Sequence, residues 1–168
     1  DPGVTYTGPS FTIAADDVTT STLNIPESGN ITDVNITISG SEACAIAYLD
    51  VSLLSPYGTI VELTNLGILG GTEFSQTTFD DEASTAIEDG STPYIGSYQP
   101  AGDLSDFNSE EMNGDWNLVV YHNQGCASEI TAWSITIVTT PPSVPTGLVA
   151  TPGNAQVTLT WSANNESD

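Results

Sequence analysis

Lysine and arginine are absent from this chain of 168 residues, while aspartate and glutamate number 22, so the formal charge is -22 with the single histidine neutral. Nothing in such a chain can neutralise a phosphate, which excludes nucleic acid as a partner and disfavours anionic lipid surfaces. The same imbalance opposes compaction by self-repulsion unless salt screens it or divalent cations bind it. Long apolar runs are missing too. No stretch could span a bilayer, and no basic segment followed by an apolar one opens the chain, so membrane insertion is not expected. The opening residues Asp1-Pro2-Gly3 suit a mature or excised piece.

Residues for nucleophilic catalysis are scarce as well. His122 is the only histidine, and no Gly-x-Ser-x-Gly turn is present to expose a serine. A triad needs a base beside a nucleophile and an acid to orient the base. Ser128 and Glu129 are near His122 in sequence, but without a nucleophile turn the expectation is a surface or hydrogen-bonded histidine at a strand end. No catalytic residue is assigned. Cysteine occurs twice, at Cys44 and Cys126. A bridge would close a loop of about eighty residues, worth roughly 4–5 kcal/mol in the chain-entropy model. Two free buried cysteines are the alternative, and a zinc site lacks ligands. A strand-rich, secreted chain favours the disulfide.

Apolar side chains are few but ordered. Leu49, Val51 and Leu53 recur at period two, the mark of a strand with one face on a core. The turn Ser55-Pro56-Tyr57-Gly58 follows, with Val61 and Leu63 beyond it, which predicts an antiparallel pair. Val34, Ile36 and Ile38 alternate with Asp33, Asn35 and Thr37, and a Gly40-Ser41-Glu42 turn is expected after them. Trp116, Leu118 and Val120 repeat the pattern, as do Trp133, Ile135 and Ile137, and these two strands are expected to form a hairpin around Cys126. Short strands are also expected at Phe11-Thr12-Ile13 and Ser21–Ile25. Between residues 64 and 115 periodicity is lost among glycines and prolines. Brief strands at Thr77–Phe79 and Ala86-Ile87 are expected there, with Tyr94, Tyr98, Leu104 and Phe107 anchoring ordered loops. At least seven short strands and no clear helix predict an all-β protein, a jelly-roll-like antiparallel β-sandwich.

Three units follow from composition: a sandwich over 1–140, a proline-rich linker over 141–145, and a fragment over 146–168 too short to bury a core alone. The carboxylates Asp80, Asp81 and Glu82 share one turn. Such a turn, with backbone carbonyls, can supply several of the six to eight oxygens that calcium takes, and Asp50 could join if the loop folds back. The competing reading is an acidic loop in an acidic protein. Tyr57, Tyr94 and Tyr98 are either loop anchors or a flat platform for a sugar or peptide.

Several segments resemble, in order, the P domain (P/Homo B domain) of subtilisin-like proprotein convertases and secreted bacterial proteases. They are Leu49-Asp50-Val51-Ser52-Leu53-Leu54-Ser55-Pro56-Tyr57-Gly58-Thr59, Thr77-Thr78-Phe79-Asp80-Asp81-Glu82-Ala83 and Gly90-Ser91-Thr92-Pro93-Tyr94-Ile95-Gly96-Ser97-Tyr98-Gln99-Pro100. Leu104-Ser105-Asp106-Phe107, Asn113-Gly114-Asp115-Trp116-Asn117-Leu118 and Ile130-Thr131-Ala132-Trp133-Ser134-Ile135 complete the series. The resemblance implies a jelly-roll module that lies C-terminal to a catalytic domain, packs on it and supports its stability. It also implies secretion, and calcium near Asp80 and Asp81. The partner implied is the protease catalytic domain of the same polypeptide, whose serine or metallo type stays open, with protein or polysaccharide substrate as a further contact. Residues 143–168 resemble the first two strands of a fibronectin type III domain, with Trp161 as its core tryptophan. The alternative function is a carbohydrate- or protein-binding module of a secreted or cell-surface protein, and its mark would be an exposed coplanar pair among the three tyrosines.

Overall fold

A computed structural model describes residues 3–141 and 146–162. Most of the linker expected at 141–145, and the end of the segment expected to be fibronectin-like, from 163 on, lie outside the described residues. The strands are β1 (Val4–Gly8), β2 (Phe11–Ile13), β3 (Asp17–Ile25), β4 (Ile31–Glu42), β5 (Leu49–Leu54) and β6 (Ile60–Thr64). They continue as β7 (Glu73–Phe79), β8 (Tyr94–Tyr98), β9 (Gly114–His122), β10 (Ser128–Thr139), β11 (Val149–Gly153) and β12 (Gln156–Thr160). Three 3₁₀ turns, Ile46–Tyr48, Ile87–Asp89 and Leu104–Phe107, interrupt the loops.

Two sheets face each other. One runs β1-β10-β4-β7-β8, with β2 continuing the β1 edge along β10. The other runs β3-β9-β5-β6. Early strands pair with late ones in nested order, β1 with β10, β3 with β9, β4 with β7 and β5 with β6, which is the jelly-roll arrangement. One feature departs from a purely antiparallel sandwich: β8 pairs with β7 in parallel. The chain therefore reverses between them through residues 80–93 rather than through a tight turn.

The alternation read in the sequence places the core. Ile36 and Ile38 of β4 and Ile135 and Ile137 of β10 face Val51 and Leu53 of β5 and Leu118 and Val120 of β9, all fully buried. Each such side chain contributes about 1.5–3 kcal/mol on burial. Trp116 packs edge-on against Phe107 at 5.2 Å and donates its indole N–H to the Met112 carbonyl. Trp133 bridges the sheets: its indole donates to Ser21 Oγ of β3 at 3.0 Å and the Pro9 carbonyl at 3.1 Å. Gly8 makes room for this ring, since a Cβ there would stand 1.9 Å from Trp133 Cε2.

Three local expectations are corrected. Strands β9 and β10 form no hairpin but lie in opposite sheets, and residues 123–127 cross the sandwich between them. Both strands present an apolar face inward, and alternation cannot say whether two such faces share a sheet or oppose each other. Residues 40–42 are not a turn, because β4 runs on to Glu42 past a register shift at Gly40. Ala86-Ile87 leads into a 3₁₀ turn, with only an isolated bridge from Ala86 to Gln99. Cys44 and Cys126 are bonded, joining the β4–β5 and β9–β10 connections at one end of the sandwich. Beyond it, β11 and β12 form a separate two-stranded sheet whose residues are all exposed.

Candidate functional site

Two polar centres lie off the hydrophobic core. The first is at the end of the larger sheet. Asp33 and Asn35 sit on the outward positions of β4, and Asp80 falls one residue past the last β4–β7 pair, Ile36 with Phe79. The chain turns sharply here: Asp80 Oδ1 accepts the Glu82 N–H at 2.8 Å, and the Asp80 carbonyl accepts the Ala83 N–H at 3.0 Å. Asp81 points the other way. Its two carboxylate oxygens accept the Leu104 N–H at 3.0 Å and the Ser105 N–H at 2.8 Å, where the 3₁₀ turn Leu104–Phe107 starts with unsatisfied donors. That bond ties the turn to the loop and seats Leu104 and Phe107 in the core.

The electrostatics show crowding without a counter-charge. Burial, then the charge of Asp80, raises the Asp33 carboxyl above the ordinary range. Its hydrogen bond with Asp80, then burial and Asp33, raises Glu82. Asn35 Nδ2 donates to Asp33 Oδ2 at 3.3 Å, while its buried Oδ1 has no partner. Asp50 belongs to a different surface. It lies on β5 in the opposite sheet, where burial and the neighbouring Glu62 raise its carboxyl. The four residues Asp50, Asp80, Asp81 and Glu82 are thus not one cluster: Asp80 and Glu82 associate with Asp33, Asp81 holds backbone, and Asp50 stands apart.

The second centre lies under the disulfide. Alternation carries Glu42 and His122 inward at the ends of β4 and β9, and Ser128 inward at the start of β10. All three are buried. Glu42 Oε2 accepts the N–H groups of Cys44 and Ala45, and its Oε1 lies 3.7 Å from His122 Nε2. Ser128 Oγ is 3.4 Å from both ring nitrogens of His122 and 3.5 Å from Glu42 Oε1. A serine, a histidine and a carboxylate therefore do meet, but not as a relay. The serine sits equally far from both nitrogens, in line with neither, and the carboxylate approaches Nε2 rather than the opposite nitrogen. The arrangement is a buried polar knot. Among the described residues, Glu42 with Cys44 and Cys126 is the one trio whose candidate ligand atoms lie within 4.8 Å of one another, and its two sulfurs are bonded to each other.

The tyrosines form no platform. Tyr94 is 2% exposed and Tyr98 packs edge-on against it at 5.9 Å, while Tyr57 stands alone in its turn at 59% exposure. Tyr94 and Tyr98 are anchors, as the loop reading requires.

Residues 31–137, from the start of β4 almost to the end of β10, match the family model described as the proprotein convertase P-domain. The chain belongs to that family. The P domain carries within the matched segment every carboxylate named above and both cysteines. No curated protein matches it in sequence. Its fold is similar to the crystal structure of the serine protease of Aeromonas sobria, at 15% identity and a TM-score of 0.51, over 83% of this chain and 28% of that one. The same protease in complex with the chaperone ORF2 gives a TM-score of 0.52 at 15% identity, over 84% of this chain and 28% of that one. The P domain thus spans little more than a quarter of the length of these neighbours, and at such identity the likeness concerns the fold.

Proposed function

We propose that this P domain is a non-catalytic accessory module of a secreted, calcium-dependent protease, packing on the catalytic domain of its own polypeptide and stabilising or orienting it. The match of residues 31–137 to the P-domain family carries the reading. The fold supports it: among the described residues, the Ser–His–carboxylate meeting is buried and out of line, which suits a structural role for these groups. The unformed tyrosine platform leaves the carbohydrate-binding alternative without its distinguishing feature.

Calcium enters through the first centre. Asp33, raised by burial and then by the charge of Asp80, and Glu82, raised by its hydrogen bond with Asp80 and then by burial, lie beside Asp80 with no counter-charge, and Asn35 Oδ1 is a buried oxygen without a donor. A hard cation favours such an oxygen set and would relieve both the repulsion and the orphaned acceptor. Asp81 would contribute indirectly, by keeping the 80–83 turn fixed to residues 104–105.

The experiment is removal of the whole sandwich, residues 1–140, from the polypeptide that carries it. The expected result is loss of folded, active protease by tenfold or more at the same expression level. Full activity and unchanged thermal stability without the domain would reject the accessory role.

A further inference from the structure

The outer faces of the two sheets differ in chemistry. Across the larger sheet, paired positions in register give Thr7, Ser134, Thr37, Thr78 and Ser97, one hydroxyl per strand from β1 to β8. Such a row of hydroxyls gains little from being covered. Across the smaller sheet the register gives something else. Val18 pairs with Tyr121, Val119 lies two residues before Tyr121 on β9, and Leu54 of β5 pairs with Ile60 of β6. These five side chains make an apolar diagonal over all four strands. Val18, Tyr121 and Ile60 are 53%, 40% and 62% exposed, and no described element covers them.

Beside the diagonal lies an uncompensated acid pair. Asp50 is opposite Tyr121, and Glu62 is opposite Ser52, the next outward position on β5. The chain holds no lysine or arginine to neutralise them, and the ring of His122 is buried on the inner side.

We propose that this outer face of the β3-β9-β5-β6 sheet is the docking surface of the domain, and that its occupant is a protein surface bearing an apolar patch flanked by a lysine or arginine that pairs with Asp50 and Glu62. The occupant is the catalytic domain of the same polypeptide, so the inference rests on the proposed accessory function and specifies its geometry. Charge complementarity favours such a partner, because no lysine or arginine of this chain can answer Asp50 and Glu62. Size agrees: four strands at about 4.8 Å spacing and six to eight residues at about 3.3 Å give a face on the order of 400–500 Å², or about 800–1,000 Å² counted over both partners, within the scale of interdomain contacts.

The test is thiol alkylation of Tyr121→Cys, with Val18→Cys as a second probe and Thr7→Cys on the other sheet as control. Each is measured in the 168-residue chain and in the polypeptide containing the catalytic domain. The inference expects Tyr121→Cys and Val18→Cys to react at least tenfold more slowly in the polypeptide, with Thr7→Cys changed less than twofold. Adding Asp50→Lys should return Tyr121→Cys to its rate in the isolated chain. Protection of Thr7→Cys instead would place the interface on the other face. Equal rates for all three, with the two domains still unfolding as one unit, would reject this surface while leaving the accessory role intact. Equal rates with independent unfolding would remove both. Protection that survives Asp50→Lys would overturn the assigned chemistry of the partner.

Discussion

Nε2 of His122 stands 3.7 Å from Oε1 of Glu42, with both side chains fully buried. In a chain without lysine or arginine, His122 is the one basic side chain that a buried carboxylate can meet. Removing one side of such a contact leaves a buried polar group short of a partner, which typically costs about 1–3 kcal/mol, more for a charged group. His122→Ala and Glu42→Ala are expected to lose that much, read from urea unfolding midpoints. The double variant should lose less than the sum, because the two effects are one interaction. Additive losses would mean that the residues act separately.

Gly8→Ala should destabilise without touching any polar centre. The added methyl meets the Trp133 ring at 1.9 Å, and the ring cannot move without breaking its bonds to Ser21 and Pro9. Overpacking of this kind costs about 1–3 kcal/mol. Tryptophan fluorescence should shift with it. A neutral substitution would show that the edge strand β1 yields instead.

Calcium should raise the melting temperature. A ligand at about a hundredfold over its Kd adds roughly 2.7 kcal/mol, which corresponds to about 5–10 °C for a domain of this size. Calorimetry in millimolar calcium against EDTA, at fixed high ionic strength, measures it. Asp33→Asn and Asp80→Asn should shrink the increment, and Asp50→Asn should leave it unchanged. Asp81→Asn should lower stability in both buffers, since its carboxylate holds two backbone N–H groups. No increment in the parent chain would reject the metal site.

Without divalent cations, stability should fall as pH rises from about 4 towards neutrality. Asp33, Asp50 and Glu82 are all raised in the folded state: by burial and then Asp80, by burial and then Glu62, and by the hydrogen bond with Asp80, respectively. A raised carboxyl makes the folded state the better proton binder. Its contribution is complete below the unfolded value of about 4 and is lost as pH climbs through the folded value. The large negative charge acts in the same direction. Asp33→Asn should flatten the slope, and a melting temperature that climbs steadily from pH 4 to 7 in EDTA would contradict this account.

Parity makes the strands legible, and it carries more than the apolar core. The run Ile36, Ile38, Gly40, Glu42 and the run Trp116, Leu118, Val120, His122 keep one phase, so the inward placement of Glu42 and His122 was written in the same alternation that gave the core. The glycine at 40 hid it by suggesting a turn. Parity cannot assign a strand to a sheet, and therefore the separation of Asp50 from Asp80 and of β9 from β10 was out of reach. The stretch 64–115 lacked periodicity because its order comes from side chains gripping backbone, as Asp81 does, and from the parallel pairing of β8. Its aromatic anchors were nonetheless visible, and Tyr94 and Phe107 are buried as expected.

The pairing of β1 with β10 brings Val4 opposite Ile137, so the chain enters and leaves the sandwich side by side at one end. A pull transmitted through the flanking chain would load the hydrogen bonds of this pair one after another, as a zipper opens, rather than all at once in shear. Tension would therefore peel β1 away first and reach the strands that hold the acidic turn only afterwards. The Cys44–Cys126 bridge at the far connections sets a covalent stop: residues 44–126, which include β5 through β9, stay a closed loop that cannot be drawn out to full length.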